Sequence, residues 1–289
     1  MRRELINWYK TKYKTKEFIS KFLIYLFLGI GVVVTAAPFI WEISCSFKLN
    51  SEIFSFPLTL FPKNPTFSNY IRLIQGEEIP FLREFMNSCF VSVSYTILTL
   101  LISSLVGYGF AKFEFPGKRP LFIVVLVSIM IPQQALLVPL FLLMNTFKWT
   151  NTYYAVIIPG AFSAFGAFFM RQVMFSVPND LIDAARIDGA SELSIFLQIA
   201  LPLARGGFWV LGVVLFLNSW NLYLWPVIVL RTEEMFTLPV GLATLLGLYK
   251  VEYGMLMAGA FLATLPIIIF FISRRRQFVA GLASGAFKF

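Results

Sequence analysis

Apolar residues along this chain come in long charge-free runs, not in the alternation of a half-buried strand. Six runs are long enough to cross a hydrocarbon core as helix, which takes about 20 residues. They are 22–41, 85–111, 120–147, 149–170, 206–230 and 253–273. A membrane barrel would instead alternate in short segments, so the pattern predicts an all-α membrane protein with six transmembrane helices in one domain, 1–289. The first run follows a Lys-rich start and contains Thr35-Ala36-Ala37, small residues of the kind found at signal-peptide cleavage sites. Pro38 and the further apolar Phe39-Ile40-Trp41 argue for an uncleaved anchor.

Between the apolar runs of the C-terminal half lies one long polar-bearing segment, 178–202. It reads as two short helices with a break. Asn179 or Asp180 is placed to cap the first, Gly189 to end it in a left-handed conformation, and Ser191 to cap the second. Leu193, Phe196, Leu197, Ala200 and Leu201 then recur at spacings of three and four, an apolar stripe that Pro202 closes.

Composition agrees with the membrane reading, with 58% hydrophobic residues, 13% charged residues and 33 Phe. Of the 24 Lys and Arg, 17 fall in 2–21, 112–119, 171–205 and 274–288. By the positive-inside rule those segments are cytoplasmic, both termini with them, and 178–202 faces the cytoplasm. The net charge of +9 is therefore a topology signal spread over membrane flanks, and nucleic acid is not an expected partner. Trp8, Tyr9 and Tyr13 interleave the basic start, 1–21, as in a segment lying on anionic lipid.

Chemistry is excluded more than it is indicated. The chain has no histidine and only two cysteines, Cys45 and Cys89, so no metal site is expected. No GxxxxGK[ST] loop is present for nucleotide phosphates, and no cofactor is expected in this chain. An ion-coupled secondary transporter of a small polar solute, the alternative class, would want an ionisable residue deep in a span, and spans two to six offer none.

Residues suited to a polar path do occur. Gln133 and Gln134 follow Pro132 in the third run, where a proline frees a backbone carbonyl and suggests a kink beside a cavity. They either line that path or hydrogen-bond between helices. Asn218, Asn221 and Tyr223 in the fifth run, with Trp220 and Trp225 beside them, offer the amides and aromatic faces that suit a sugar. An aromatic belt at the interface accounts for Trp225 equally well. The uncharged stretch 235–249 is too short to span and is expected to form a re-entrant or external loop.

The spacing Asp183-Ala184-Ala185, three residues, Gly189, nine residues, Ile199-Ala200-Leu201-Pro202 resembles the EAA loop of binding-protein-dependent ABC importer permeases, with Asp183 where that family usually has Glu. Ser46-Phe47-Lys48, Phe67-Ser68-Asn69-Tyr70, Asn87-Ser88, the turn 115–119 and Thr237-Leu238-Pro239-Val240-Gly241-Leu242 resemble landmarks of the sugar-importing, maltose-permease type, in the same order. The last residues, Phe287-Lys288-Phe289, depart from it. The resemblance implies an ABC type I importer permease fold in a bacterial plasma membrane. It also implies a coupling helix formed by Asp183, Ala184, Ala185, Asp188, Gly189, Ala190, Leu201 and Pro202. Implied partners are a second permease subunit in a heterodimer, two ATPase subunits that use ATP and Mg, and an extracellular solute-binding protein that delivers a sugar or oligosaccharide. Thr237, Pro239, Gly241 and Ala243 are implied contacts of that binding protein, the bland alternative being a loop folded back over the outer gate.

Overall fold

The computed structural model describes residues 2–247 and 251–286, with only the backbone described over 2–16, at Phe18 and over most of 270–286. The side chains of Trp8, Tyr9 and Tyr13, the end of the 235–249 loop and the departing residues Phe287-Lys288-Phe289 lie outside the described residues. In chain order the helices are α1 Arg2–Ser46, α2 Asn50–Ile53, α3 Ser68–Gln75, α4 Phe81–Lys112, α5 Lys118–Ile129, α6 Gln133–Thr146, α7 Tyr153–Ile157 and α8 Ala164–Phe175. They continue with α9 Asn179–Ile187, α10 Glu192–Ile195, a π-helical turn Phe196–Ala200, α11 Leu201–Leu203, α12 Arg205–Trp220 and α13 Leu224–Val229. A 3-10 turn, Glu233–Met235, then precedes α14 Leu238–Thr244 and α15 Tyr253–Ala286. The all-helical expectation holds among the described residues.

Not every one of the six apolar runs is a single continuous helix. The first two are unbroken in α1 and α4, and the sixth lies in α15. The third is split into α5 and α6, which meet at 99°. Pro132 has no N–H to continue the ladder and keeps Ile131 out of the helical region, so a predicted kink becomes a break. The fourth run breaks over 158–163, around Pro159-Gly160, and the fifth at Asn221-Leu222-Tyr223. By length and composition two of the helices are fit to cross a membrane alone, or up to four if each bent pair is one span.

Residues 1–70 and 252–261 form one compact unit. Its junction joins two of the sequence landmarks: Asn69 Nδ2 donates to the carbonyls of Ser46 and Lys48, each at 2.8 Å, and Ser46 Oγ and Tyr70 Oη lie 2.7 Å apart. Lys48 is buried there, its ammonium 4.7 Å from the Trp41 ring centre and bonded to the Thr59 carbonyl. Asn50 completes the junction, donating to Glu252 at 3.0 Å and accepting from the Gly254 N–H at 2.8 Å.

The second unit, residues 71–251 and 262–289, is built on α4. Helices α8 and α12 pack along it, and small residues set the approach. A Cβ at Gly107 would stand 2.6 Å from Met170 Cβ and 2.7 Å from the Arg171 nitrogen, so α4 and α8 touch backbone to backbone there. Around this crossing Leu100, Tyr108, Met170, Met174, Leu211 and Leu215 are buried together with Ile182, Ile195, Phe196 and Ala200 of the polar-bearing segment. That segment is thus a part of the core on one side and surface on the other. Cys45 and Cys89 are both free thiols.

Candidate functional site

The 178–202 segment folds as helix, break and helix. α9 ends in a Schellman arrangement: the Gly189 N–H donates to the Arg186 carbonyl and the Ala190 N–H to the Ala185 carbonyl, both at 3.0 Å, with Gly189 at φ +80°. Ser191 then caps α10, accepting from the Ser194 N–H at 3.3 Å. The expected cap of α9 is not made by Asn179 or Asp180. Pro178 holds the cap position, and the Asn179 side chain accepts from Lys112 Nζ at 2.8 Å instead.

Two further expectations are corrected here. Pro202 does not close the second helix but sits inside it, in α11, and the chain turns by 84° after Leu203. Because Pro202 lacks an N–H, the ladder upstream is spaced out into the π-helical turn of Phe196–Ala200. Phe196 and Ala200 remain buried beside Ile195, whereas Leu193 and Leu197 are exposed.

A charged network ties the segment to the end of α4. Arg186 Nε lies 2.6 Å from Glu192 Oε1 and its Nη1 2.9 Å from Asp183 Oδ1, so one guanidinium spans the break between α9 and α10. Its carbon lies 5.5 Å from the Phe113 ring centre. Tyr108 Oη donates to Glu192 Oε2 at 3.1 Å, and Lys112 Nζ donates to the Val177 carbonyl at 2.5 Å as well as to Asn179. Arg186 holds the Glu192 carboxyl below its ordinary range, chiefly by hydrogen bonding to it. Sequence reasoning did not single out Tyr108, Lys112, Arg186 or Glu192; Arg186 and Glu192 stood inside the segment and pair over six positions, whereas Tyr108 meets Glu192 across 84 positions, which leaves no local signal.

With Ile182 buried, the opposite face of α9 is presented outward. Asp183, Ala184, Asp188, Gly189 and Ala190 are exposed there, Ile187 is 86% exposed, and Ala185 is partly covered. Leu201 is half-buried and Pro202 exposed. The outward surface of α9 is thus one apolar side chain, Ile187, set among the carboxylates of Asp183 and Asp188 on a helix braced from behind.

A cavity of about 390 Å³ lies where α6, the 158–160 bend and α13 come together. Gln133, Tyr95, Gly160, Leu222 and Trp225 are among its lining residues. Gln134, Asn218, Asn221 and Tyr223 are exposed and line other surface; the Asn221 amide is bonded to the Leu217 carbonyl at 2.9 Å. Trp225 is buried, with its indole N–H donating to the Ala155 carbonyl at 2.8 Å, so it offers the cavity a ring edge and no free donor.

The stretch after Arg231 folds against the start of α4. Asn87 Nδ2 donates to the carbonyls of Glu234 and Phe236, both at 2.9 Å, and Ser88 Oγ accepts from the Leu238 N–H at 2.7 Å. Two sequence landmarks, Asn87-Ser88 and 237–242, are therefore one contact. Thr237 and Gly241 are buried in it, and Pro239 and Ala243 are half-buried. Over 238–244 the chain is helical, although its composition had suggested a broken loop.

The family model for "binding-protein-dependent transport system inner membrane component" matches residues 99–277. The arabinooligosaccharides transport system permease protein AraQ of Halalkalibacterium halodurans is 40% identical over 279 residues, 96% of this chain and 99% of that protein. The lactose transport system permease protein LacG of Rhizobium radiobacter is 36% identical over 258 residues, 89% of this chain and 93% of that one. Among solved structures, a bacterial ABC transporter involved in the import of the acidic polysaccharide alginate superposes with a TM-score of 0.78 at 23% identity, over 89% of this chain and 96% of that chain.

Proposed function

The chain belongs to the family of binding-protein-dependent transport system inner membrane components, and on that footing we propose that it is the permease subunit of an ATP-driven importer of a sugar or oligosaccharide. One observation carries the coupling role: the exposed face of α9, from Asp183 to Ala190, is braced through Arg186, Glu192 and Tyr108 onto α4. A push delivered there has a bonded route to α4 through these side chains. The partner on that face is an ATPase, which supplies the ATP and Mg chemistry that this chain has no phosphate loop to perform. The distribution of Lys and Arg supports a cytoplasmic position for α9 to α11 and for both termini. A second permease subunit and an extracellular solute-binding protein complete the assembly.

The relatives' names point to oligosaccharides as the substrate class. The cavity at Gln133, with apolar walls and an aromatic edge, supports that reading, since a sugar ring presents an apolar face and a hydroxyl rim. The test is transport in proteoliposomes that carry the co-expressed permease pair and ATPase, with binding protein outside. Uptake of arabino-oligosaccharides should require internal ATP and be lost with Asp183→Lys. Uptake that persists without the ATPase and collapses with the ion gradient would instead show a secondary transporter.

A further inference from the structure

Where the turn 113–117 meets α5 and α8, a cavity of about 700 Å³ opens to the surface. Lys118, Arg119 and Arg171 line it against a single carboxylate, Glu114. Glu114 is already taken by Lys118, 2.8 Å from its Nζ, and Arg119 adds to the field on it without an ion pair. Two cations are thus left over. Arg171 is held in place for the purpose: its guanidinium lies 4.0 Å from the Phe122 ring centre and 4.6 Å from that of Phe175. Its Nε donates to the Phe110 carbonyl at 3.4 Å, and the rest of its donors are unspent on the described residues.

The end of the helix also favours an anion here. Lys118 and Arg119 stand in the first turn of α5, at the positive end of a 12-residue helix, where the macrodipole favours negative groups. Gly117, at φ +83°, directs the chain so that the first turn lines the cavity. The positive-inside rule accounts for the presence of basic residues in this turn. It does not account for a cavity in which they converge.

We propose that this cavity holds the headgroup of an anionic phospholipid. Its phosphate lies against Arg119, Arg171 and the first turn of α5, and its acyl chains run along the apolar outer face of α5. That face begins inside the cavity at Ile123, which is 58% exposed, and continues with the exposed Val124 and Val127. The contiguous apolar track selects a lipid over a free phosphate, and basic pockets at the cytoplasmic ends of spans are suited to such headgroups. The inference rests on the chain being a membrane protein and on the sidedness proposed above, and it is independent of which sugar is carried.

The test uses the whole complex with its partner subunits, equilibrated in phosphatidylcholine bilayers containing about one-third phosphatidylglycerol. Native mass spectrometry then reads the phosphatidylglycerol retained. Arg119→Gln with Arg171→Gln should reduce retention several-fold, while Arg205→Gln, a basic control away from the cavity, should leave it unchanged. Arg119→Glu alone, an exposed position that leaves the Arg171 stacking intact, should give the same direction. Retention equal to wild type in all variants overturns the proposal. So does displacement of the lipid by inorganic phosphate, which would make this a free-anion site, or loss of the ATPase with lipid retention unchanged, which would make it a protein contact. A complex that keeps its ATPase and loses its lipid supports the lipid site whatever the coupling assignment.

Discussion

Gly241 lies directly over the carboxyl of Glu84, so closely that a side chain at position 241 would occupy the carboxyl's place. Glu84 is buried, and its Oε2 has no hydrogen-bond partner among the described residues. Helix α14 thus seals an acidic side chain against α4, and glycine is what lets it do so. Gly241→Ala should therefore destabilise the packing of α14 on α4 by about 1–3 kcal/mol, as other overpacked sites do. Glu84→Ala in the same chain should restore much of the loss in a double-mutant cycle read by thermal melting of the purified complex. Additive losses would show that the two residues do not meet.

That contact changes how a binding-protein role of this loop is tested. Enlarging Gly241 disturbs α4 as well as any cleft outside. Ala243, half-buried on the same short helix, is the cleaner probe. Ala243→Gln should leave melting unchanged within about 0.5 kcal/mol and reduce stimulation of transport by binding protein. Full stimulation would leave the stretch as a cover over the outer face alone.

Arg186→Gln removes the group that spans α9 and α10. The pair with Glu192 is partly exposed, so its share of global stability is about 0.5–1 kcal/mol at most. Coupling should suffer more than stability: ATPase co-purification and transport should fall together, with the melting temperature little changed. Unchanged transport in Arg186→Gln would reject the brace.

The same pair sets a pH dependence. Glu192 titrates below its ordinary 4.5 because Arg186 hydrogen-bonds to it. A depressed carboxylate contributes above the ordinary value and stops contributing as pH falls through the lower, folded value. ATPase retention by the wild type should be flat from neutral pH down to about 5 and decline below 4.5. Glu192→Gln should start lower and show less of this decline; parallel curves would assign the titration elsewhere.

Gly189 is required for its backbone and not for space. A Cβ there meets nothing within 4 Å, yet φ is +80°. Gly189→Val should cost about 1–2 kcal/mol locally and re-aim Ala190, lowering ATPase binding while insertion persists. Gly189→Asn, tolerant of the left-handed region, should retain most of it. Equal loss in both would mean that the exposed surface, not the turn, is what matters.

The features legible in the sequence were those whose physics is local. Gly189 and Ser191 announced a stop and a start within three positions, and both act as read. Landmarks such as Asn87-Ser88 were legible as positions but not as partners, because Asn87 bonds Phe236 across 149 positions. The broken spans were hidden for a different reason. Apolar runs report what a segment is immersed in, not whether its helix is continuous, so Pro159-Gly160 and Asn221-Leu222-Tyr223 passed as interior residues of spans. Pro202 follows a π-helical turn, and nothing in a stripe of threes and fours signals that turn.

The backbone contact at Gly107 has a consequence at the level of the gene. Every single-nucleotide change that alters a glycine codon to another amino acid introduces a Cβ, and at this position a Cβ falls on Met170 and the Arg171 nitrogen. No one-step neighbour of that codon is free of the clash. The α4–α8 crossing is thus a mutational dead end, and a library of random variants selected for transport should return Gly107 almost unaltered while Gly109, with open space beside it, drifts.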